Sequence, residues 1–243
     1  MTQVSTPPAE PAQPAGRSAA PGPGLVPPTG PIERLMSALI RKLAWSRLSD
    51  PKVAVAVSAS GLLLGMLLGA TAPNAETLPI KLPLSYLLPS LNHQHVIASL
   101  ILYASDILAC LGLAGMLWAH SQGWRPNPRH LLLISSAIVA VMVCLTPVGS
   151  SDTASYAAYG RIAAQGGNPY ITNPVAWLGW HSQYTQAVGT MWKQQSSVYG
   201  PFATVIQSFA ASIGGPHVAT TVWVLMILNG AVFIGVGYLL LKT

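Results

Sequence analysis

The chain has 243 residues, of which 51% are hydrophobic and only 7% are charged, and its mean hydropathy is +0.47. These values exclude a water-soluble globular domain, since such domains usually carry about 25% charged residues. The net charge of +6 does not indicate nucleic-acid binding, because much of it flanks apolar segments and forms no patch with interleaved aromatic residues. We therefore predict an all-α membrane protein, a polytopic bundle of transmembrane helices.

The first 31 residues are dominated by Pro, Ala and Gly and show no hydrophobic period. Such a composition cannot bury enough apolar surface to offset the entropy lost on ordering. We expect a disordered tail over residues 1–31 and a transmembrane domain over residues 32–243. We expect no cleaved signal peptide, because the first apolar run begins only after this tail.

Four apolar runs approach the roughly 20 residues that a helix needs to cross a bilayer. They predict spans at residues 53–71, 96–119, 131–148 and 217–241. A fifth run, residues 201–213, has only about one half to two thirds of that length. It predicts a short, tilted or re-entrant helix.

Basic residues indicate the orientation of the chain in the membrane. One group lies just ahead of the first predicted span and a second group lies between the second and third spans: Arg34, Arg41, Lys42, Arg47, Lys52, then Arg125 and Arg129. In the connection at residues 73–95, Lys81 is the only Lys or Arg residue. Because cytoplasmic loops are enriched in Lys and Arg, we expect a cytoplasmic N-terminus and an extracytoplasmic loop at residues 150–200.

The predicted loop at residues 150–200 contains a single carboxylate, that of Asp152. Asp152, Tyr156, Tyr159 and Ala163 recur at helical spacing, which predicts a short interfacial helix with the acid and both phenols on one face. The sequence Gly-Gly-Asn-Pro at residues 166–169 is expected to end this helix in a turn.

Two interpretations of Asp152 remain open at this point. It could cap the helix or lie in its first turn, which would stabilise the helix by about 1 kcal/mol. Alternatively, it could remove a proton from an acceptor hydroxyl or stabilise positive charge that develops on a sugar ring. A metal site would need ligands from elsewhere in the chain, so we predict no metal and no cofactor.

Asp106 lies inside the second predicted span, where a charged side chain costs several kcal/mol unless it faces the bundle or is neutralised. It could belong to a proton path, or polar neighbours such as Tyr103 and Ser105 could satisfy it. We treat Asp106 as a secondary candidate site.

The pattern SDTASYAAYGRIAAQGGNPY at residues 151–170, followed by VYGP at residues 198–201, resembles polytopic GT-C glycosyltransferases. In particular, it resembles the actinobacterial α-1,6-mannosyltransferases that use polyprenyl phosphate mannose. The resemblance covers roughly residues 53–241. It implies a GT-C-like transmembrane domain that transfers mannose, with inversion, from polyprenyl phosphate mannose to a lipomannan-type mannan acceptor at the extracytoplasmic face of the cell membrane.

The resemblance also implies roles for individual residues. Asp152 would be the catalytic base, and Tyr156, Tyr159 and Arg161 would shape the acceptor side or the donor-phosphate side of the pocket. Substrate-site residues are also implied at Asn168 and Tyr170, in a turn that positions the loop, and at Tyr199, before the next helix. Members of the family are about twice as long as this chain, so the resemblance implies an incomplete transmembrane domain.

Two alternatives involve no catalysis. The chain could be half of a transporter or flippase in which Asp106 is the coupling residue, although no inverted repeat of broken helices is visible in the sequence. It could also be a structural subunit of a cell-envelope complex, in which case the Asp152 side chain would be dispensable.

Overall fold

The computed structural model describes residues 50–242, so the predicted tail at residues 1–31 lies outside the described residues. Residues 50–242 form helices and no strand, which confirms the all-α prediction. The elements in chain order are α1 (Pro51–Ala70), α2 (His95–Ser121), α3 (Pro128–Met142), α4 (Asp152–Ala164), α5 (Pro174–Leu178), α6 (Gln183–Ala187), the 3₁₀ turn η1 (Thr190–Trp192), α7 (Pro201–Gly214) and α8 (Val218–Leu240).

Three of the described helices, α1, α2 and α8, are long and apolar enough to cross a membrane. Their bounds lie within two residues of the predicted spans. Sequence signals explain where α1 and α3 begin. Asp50 and Asn127 accept hydrogen bonds from the first backbone N–H groups of α1 and α3, and each is followed by a proline in the first turn.

The prediction of a helical span at residues 131–148 is wrong in its last six residues, because α3 ends at Met142. The chain beyond it is held by the connection between α1 and α2. The backbone N–H of Leu84 donates to the Cys144 carbonyl at 2.8 Å, and the Thr146 hydroxyl bonds to that of Ser85. Pro147 also disfavours a helical conformation at Thr146. With 15 residues, α3 is shorter than the roughly 20 residues that a helix needs to cross the bilayer.

Glycines bring α1 and α2 into close backbone contact. A Cβ atom at Gly61 would lie 2.5 Å from the backbone N of Ala109, and one at Gly112 would lie 2.3 Å from the backbone N of Ser58. The Ser105 hydroxyl donates to the Gly61 carbonyl at 2.8 Å across the same interface. Small residues and interhelical hydrogen bonds are the usual means by which membrane helices associate. The two helices therefore form a tightly packed hairpin.

The helix α8 runs antiparallel to α3. A Cβ at Gly230 would meet Val139, and one at Gly237 would meet Leu132, so the end of α8 lies beside the beginning of α3. The beginning of α8 consequently lies at the opposite end, where the chain leaves α3.

The segments at that end form what we call the end layer, residues 71–94 and 149–217. The Gly149 N–H donates to the Glu76 carbonyl at 2.8 Å, which joins the two segments. The main buried cluster contains side chains from the α1–α2 connection, α4, α6, α7 and the first half of α8, including Leu78, Ala157, Tyr184, Ala210 and Val222. The core of the described fold therefore lies mainly in the end layer.

We predict that Gly112→Ala lowers thermal stability, because the added methyl group would overlap the backbone of α1. Overpacking of this kind costs roughly 1–3 kcal/mol. The matched control is Gly235→Ala in α8, where no heavy atom lies within 4 Å of the added carbon. In thermal unfolding in detergent, Gly112→Ala should unfold at a lower temperature than Gly235→Ala. Equal unfolding temperatures would contradict the close contact between Gly112 and α1.

Candidate functional site

Helix α4 positions the predicted catalytic carboxylate. It begins at Asp152 and is followed by Gly166, whose φ of 81° suits glycine, and Gly167 donates back to the Ile162 carbonyl. The helix predicted from the spacing of Asp152, Tyr156 and Tyr159 is therefore confirmed.

Asp152 is the first residue of α4 and does not itself occupy the N-cap position, which belongs to Ser151. Its backbone N–H donates to the Ser150 hydroxyl at 3.1 Å. Within residues 50–242 its half-buried side chain has no hydrogen-bond or ion-pair partner. A carboxylate in the first turn interacts favourably with the helix dipole. Both of its oxygens nevertheless remain free to accept a proton or a hydrogen bond from a ligand.

Tertiary structure adds a third phenol to the two on α4. Tyr199, just before α7, packs edge-to-face on Tyr156 with 4.8 Å between ring centroids, and its ring centroid lies 6.2 Å from that of Tyr159. Edge-to-face packing at such distances is a favoured geometry for aromatic rings. Asp152, Tyr156 and Tyr199 therefore form one group, which we call the acid–tyrosine site.

The acid–tyrosine site raises the pKa of Tyr199 to about 12. Burial is the main cause, followed by a hydrogen bond with Tyr156 and by the negative charge of Asp152. Tyr199 is therefore neutral near pH 7 and can bind a substrate oxygen through its hydroxyl group, whereas it is poorly suited to act as a base. This leaves Asp152 as the candidate base of the site.

The loop at residues 188–200 is held across α4 by several hydrogen bonds. Tyr159 is only 2% exposed and donates through its hydroxyl group to the Gln195 carbonyl at 3.1 Å. The Ser197 N–H donates to the Pro169 carbonyl at 2.7 Å, and a Cβ at Gly189 would contact the Ser151 hydroxyl. Tyr159 thus positions the loop that carries Tyr199, and its predicted contact with substrate stays a prediction.

The turn at residues 168–170 also connects the loop to its surroundings. The Asn168 side chain accepts a hydrogen bond from the Tyr170 N–H at 3.0 Å, and the Tyr170 hydroxyl bonds to that of Thr204 on α7 at 2.7 Å. This agrees with the expectation that Asn168 and Tyr170 position the loop. Their predicted contact with substrate is not tested by these bonds.

Arg161 does not join the acid–tyrosine site. It follows Asp152 by nine residues, about two and a half helical turns, so the two side chains leave opposite faces of α4. The charge of Arg161 acts on Tyr184, whose pKa is raised by burial and partly lowered again by a bond with Thr221 and by this charge. The expectation that Arg161 shapes the acceptor side or the donor-phosphate side of the pocket stays a prediction.

Sequence inspection missed Glu76, a second carboxylate of the end layer. Its backbone is bonded to Gly149, three residues before Asp152, and its side chain accepts a hydrogen bond from Ser99. The available signal was that Glu76 is the single acid of the predicted connection at residues 73–95. Unlike Asp152, this carboxylate already has a partner.

Asp106 lies elsewhere, on a cavity of about 600 Å³ between α1, α2, α3 and α8. Ser135 and Asn229 line the same cavity, whose walls are otherwise mainly apolar. Ser105 bonds to Gly61, and Asp106 has no hydrogen-bond partner among residues 50–242. The structure therefore does not show the suggested pairing with Tyr103 or Ser105.

Among residues 50–242, no three His, Cys, Asp or Glu side chains lie close enough together to hold a metal ion. The expectation that the site needs no cofactor stays a prediction.

A sequence model of the family described as "Alpha-(1->6)-mannopyranosyltransferase, N-terminal domain" matches residues 53–241. The chain belongs to this family. Among curated relatives, alpha-(1->6)-mannopyranosyltransferase B of Corynebacterium glutamicum is 38% identical over 77 residues, which are 32% of this chain and 12% of the relative. A probable alpha-(1->6)-mannopyranosyltransferase of Mycolicibacterium smegmatis is 30% identical over 129 residues, 53% of this chain and 22% of the relative. No solved structure matches the chain.

Membership of the mannopyranosyltransferase family agrees with the resemblance seen in the sequence. The matched region includes the whole acid–tyrosine site, all but the first two residues of α1, and the whole of α2, α3 and α8. The alignments cover only a minor part of each curated relative.

We predict that Tyr159→Phe loosens the loop at residues 188–200, because the Gln195 carbonyl loses its donor. The loss should be about 1 kcal/mol, or about fivefold in the local opening equilibrium. Hydrogen exchange at the Ser197 amide provides the measurement. The control is Tyr103→Phe, since Tyr103 is 63% exposed on α2. Equal exchange in the two variants would contradict the positioning role.

The raised pKa of Tyr199 predicts a specific pH dependence. Because its folded-state pKa lies above the ordinary value of 10, the neutral form is favoured by folding. This contribution to stability is complete below pH 10 and is lost as the pH rises toward 12. Over that interval the wild type should lose more stability than Tyr199→Phe in unfolding measurements, whereas parallel losses would show that Tyr199 titrates normally.

Proposed function

We propose that the chain forms the N-terminal catalytic part of a membrane hexosyltransferase that moves mannose from polyprenyl phosphate mannose to a lipomannan-type mannan acceptor. The observation that carries this proposal is the unpartnered Asp152 carboxylate beside Tyr156 and Tyr199. Family membership supports the transferred sugar, and the apolar helices support a lipid-linked donor. The other expected partner is membrane lipid, and no nucleic acid is involved.

The proposed reaction needs one base. Asp152 accepts the proton of an acceptor mannose hydroxyl while that oxygen attacks the anomeric carbon of the donor. The bond between this carbon and the phosphate oxygen breaks, and polyprenyl phosphate leaves with the bonding electrons. Attack from the face opposite the phosphate inverts a β-linked donor into an α-linked product. The phosphate is already a good leaving group, so no general acid is required.

The tyrosines of the acid–tyrosine site have a supporting role in this mechanism. Tyr156 and Tyr199 present hydroxyl groups and ring edges next to the carboxylate, which suits the orientation of a sugar. Asn168, Tyr159 and Tyr170 maintain the surrounding loop. Arg161 is chemically suited to a phosphate oxygen. For Arg161 to bind the donor phosphate, the donor would have to reach the Tyr184 side of α4.

We place this site at the extracytoplasmic face of the cell membrane, with the N-terminus in the cytoplasm. Arg125 and Arg129 lie between α2 and α3, at the end of the bundle opposite the end layer. Their position supports this orientation through the enrichment of basic residues in cytoplasmic loops. A lipid-linked donor would then hold its phosphate near the level of the end layer.

We predict that Asp152→Asn strongly reduces the rate of transfer. The assay uses radiolabelled polyprenyl phosphate mannose and an α-mannoside acceptor, in membranes that contain a chimera in which residues 53–241 replace the matching part of the Corynebacterium glutamicum relative. Loss of a positioned base should reduce the rate about 10²–10⁴-fold. Protein level and folding must match those of the unsubstituted chimera.

Two further variants discriminate between the alternatives. Glu76→Gln removes the neighbouring carboxylate and should retain most activity if Asp152 is the base. Asp106→Asn should also retain transfer, whereas a transporter or flippase half should be sensitive at Asp106 and insensitive at Asp152. Full activity of Asp152→Asn would refute its role as base, and an inactive but folded chimera would favour the transporter or a structural subunit.

A further inference from the structure

Helix α7 exposes a row of large apolar side chains. Phe202, Val205, Phe209 and Ile213 are 79%, 65%, 56% and 55% exposed, and Ile206 lies between them at 36%. Their spacing of three, four, seven and eleven residues from Phe202 places them on one side of the helix. The apolar side of α7 therefore faces away from the other described residues.

The opposite side of α7 is packed against the rest of the end layer. Gln207, Ala210, Ala211 and Gly214 are buried there, and a Cβ at Gly160 of α4 would lie 2.2 Å from the Gln207 carbonyl. A helix that borders water normally buries its large apolar residues and exposes its polar ones. The arrangement of α7 is the reverse, which calls for an apolar neighbour beyond residues 50–242.

The exposed apolar area continues beyond α7. Ile171 is 82% exposed and Val198 is 75% exposed. Ile171 follows Tyr170, whose hydroxyl bonds to Thr204 in the first turn of α7. Val198 follows Ser197, whose N–H donates to the carbonyl of Pro169, the residue before Tyr170. Both apolar side chains are therefore close to the start of α7. We call this set the α7 surface: Ile171, Val198, Phe202, Val205, Ile206, Phe209 and Ile213. Exposed apolar patches of this kind mark interaction sites on proteins and membranes.

The connections of α7 place this surface at the border of the membrane. Both ends of α7 belong to the end layer, and only residues 215–217 separate it from α8, a candidate span. Its 14 residues extend about 21 Å, less than the roughly 30 Å of hydrocarbon. The helix is therefore too short to cross the hydrocarbon by itself, and it packs on the first half of α8.

We propose that the α7 surface is a membrane-contact surface, covered by the hydrocarbon chains of the adjacent lipid leaflet. Between Lys193 and Lys242 the sequence contains no Asp, Glu, Lys or Arg, so the apolar face of α8 continues onto α7 without a charge. Trp177, Trp180 and Trp192 are exposed in the same layer, and tryptophan is enriched at membrane interfaces.

This inference does not depend on the proposed transfer reaction, but it bears on it. Helix α4, which carries Asp152, packs on the inner side of α7, and packed helices have axes about 8–10 Å apart. A substrate attached to a lipid in that leaflet would therefore begin about one helix diameter from the acid–tyrosine site.

The test measures which medium surrounds α7. Nitroxide spin labels are attached through Val205→Cys and Phe209→Cys, with Cys110 and Cys144 replaced by Ala, in the whole chain reconstituted into phospholipid nanodiscs. Matched controls are Gln183→Cys and Gln186→Cys on α6, since both glutamines are exposed. Collision rates with oxygen, which concentrates in lipid, and with a water-soluble nickel complex are then compared.

The ratio of oxygen to nickel collisions should be severalfold higher at positions 205 and 209 than at positions 183 and 186. Frequent nickel collisions at positions 205 and 209 would show that water covers the surface. Low collision rates with both reagents would show that protein covers it. Either result would overturn the proposal, and Ile213→Cys provides a third position if one label disturbs folding. The measurement needs no enzymatic activity, so it is independent of the outcome of the Asp152→Asn experiment.

Discussion

Close backbone contact at glycine is the constraint on which both parts of the described fold depend. In the membrane part, Gly61 and Gly112 let α1 and α2 approach each other. In the end layer, Gly160 lets α4 approach the Gln207 carbonyl of α7, and Gly214 lies against Thr221 at the turn into α8. Apolar burial drives membrane helices together only weakly, because lipid tails are as apolar as leucine, so van der Waals contact must provide much of the association. A side chain at these positions would separate the helices.

The packing of α4 on α7 is also what creates the acid–tyrosine site. Tyr156 is carried by α4 and Tyr199 immediately precedes α7, so their rings meet only because the two helices lie against each other. Tyr159, Tyr170 and Ser197 have hydrogen bonds that hold the surrounding loop. Among residues 50–242, the Asp152 carboxylate next to this hydrogen-bonded loop has no hydrogen-bond partner. An acid left free inside a well-ordered frame is more easily explained by binding or catalysis than by stability.

The sequence predicted the local features of the site and missed its assembly. The helical spacing of Asp152, Tyr156 and Tyr159 and the Gly-rich turn after them correctly predicted α4. The same spacing places Arg161 on the opposite face of α4, and the pocket role that the resemblance implies for it stays a prediction. The end of α3 was predicted six residues too late, because apolar composition continues to Val148 while hydrogen bonds to Leu84 and Ser85 interrupt the helix. Glu76 was missed because nothing local connects it with Asp152.

The sequence by itself determined that this is a helical membrane protein, where α1, α2 and α8 lie, and which family it belongs to. Composition, hydrophobic run length and a conspicuous motif are properties of neighbouring residues, so they can be found without a structure. Only the tertiary structure decided that Tyr199 packs on Tyr156, next to Asp152 on α4, and that α7 turns its large apolar side chains outward. These features depend on contacts between segments that are distant in the chain, and such contacts follow from how glycine-lined helices pack rather than from any local pattern.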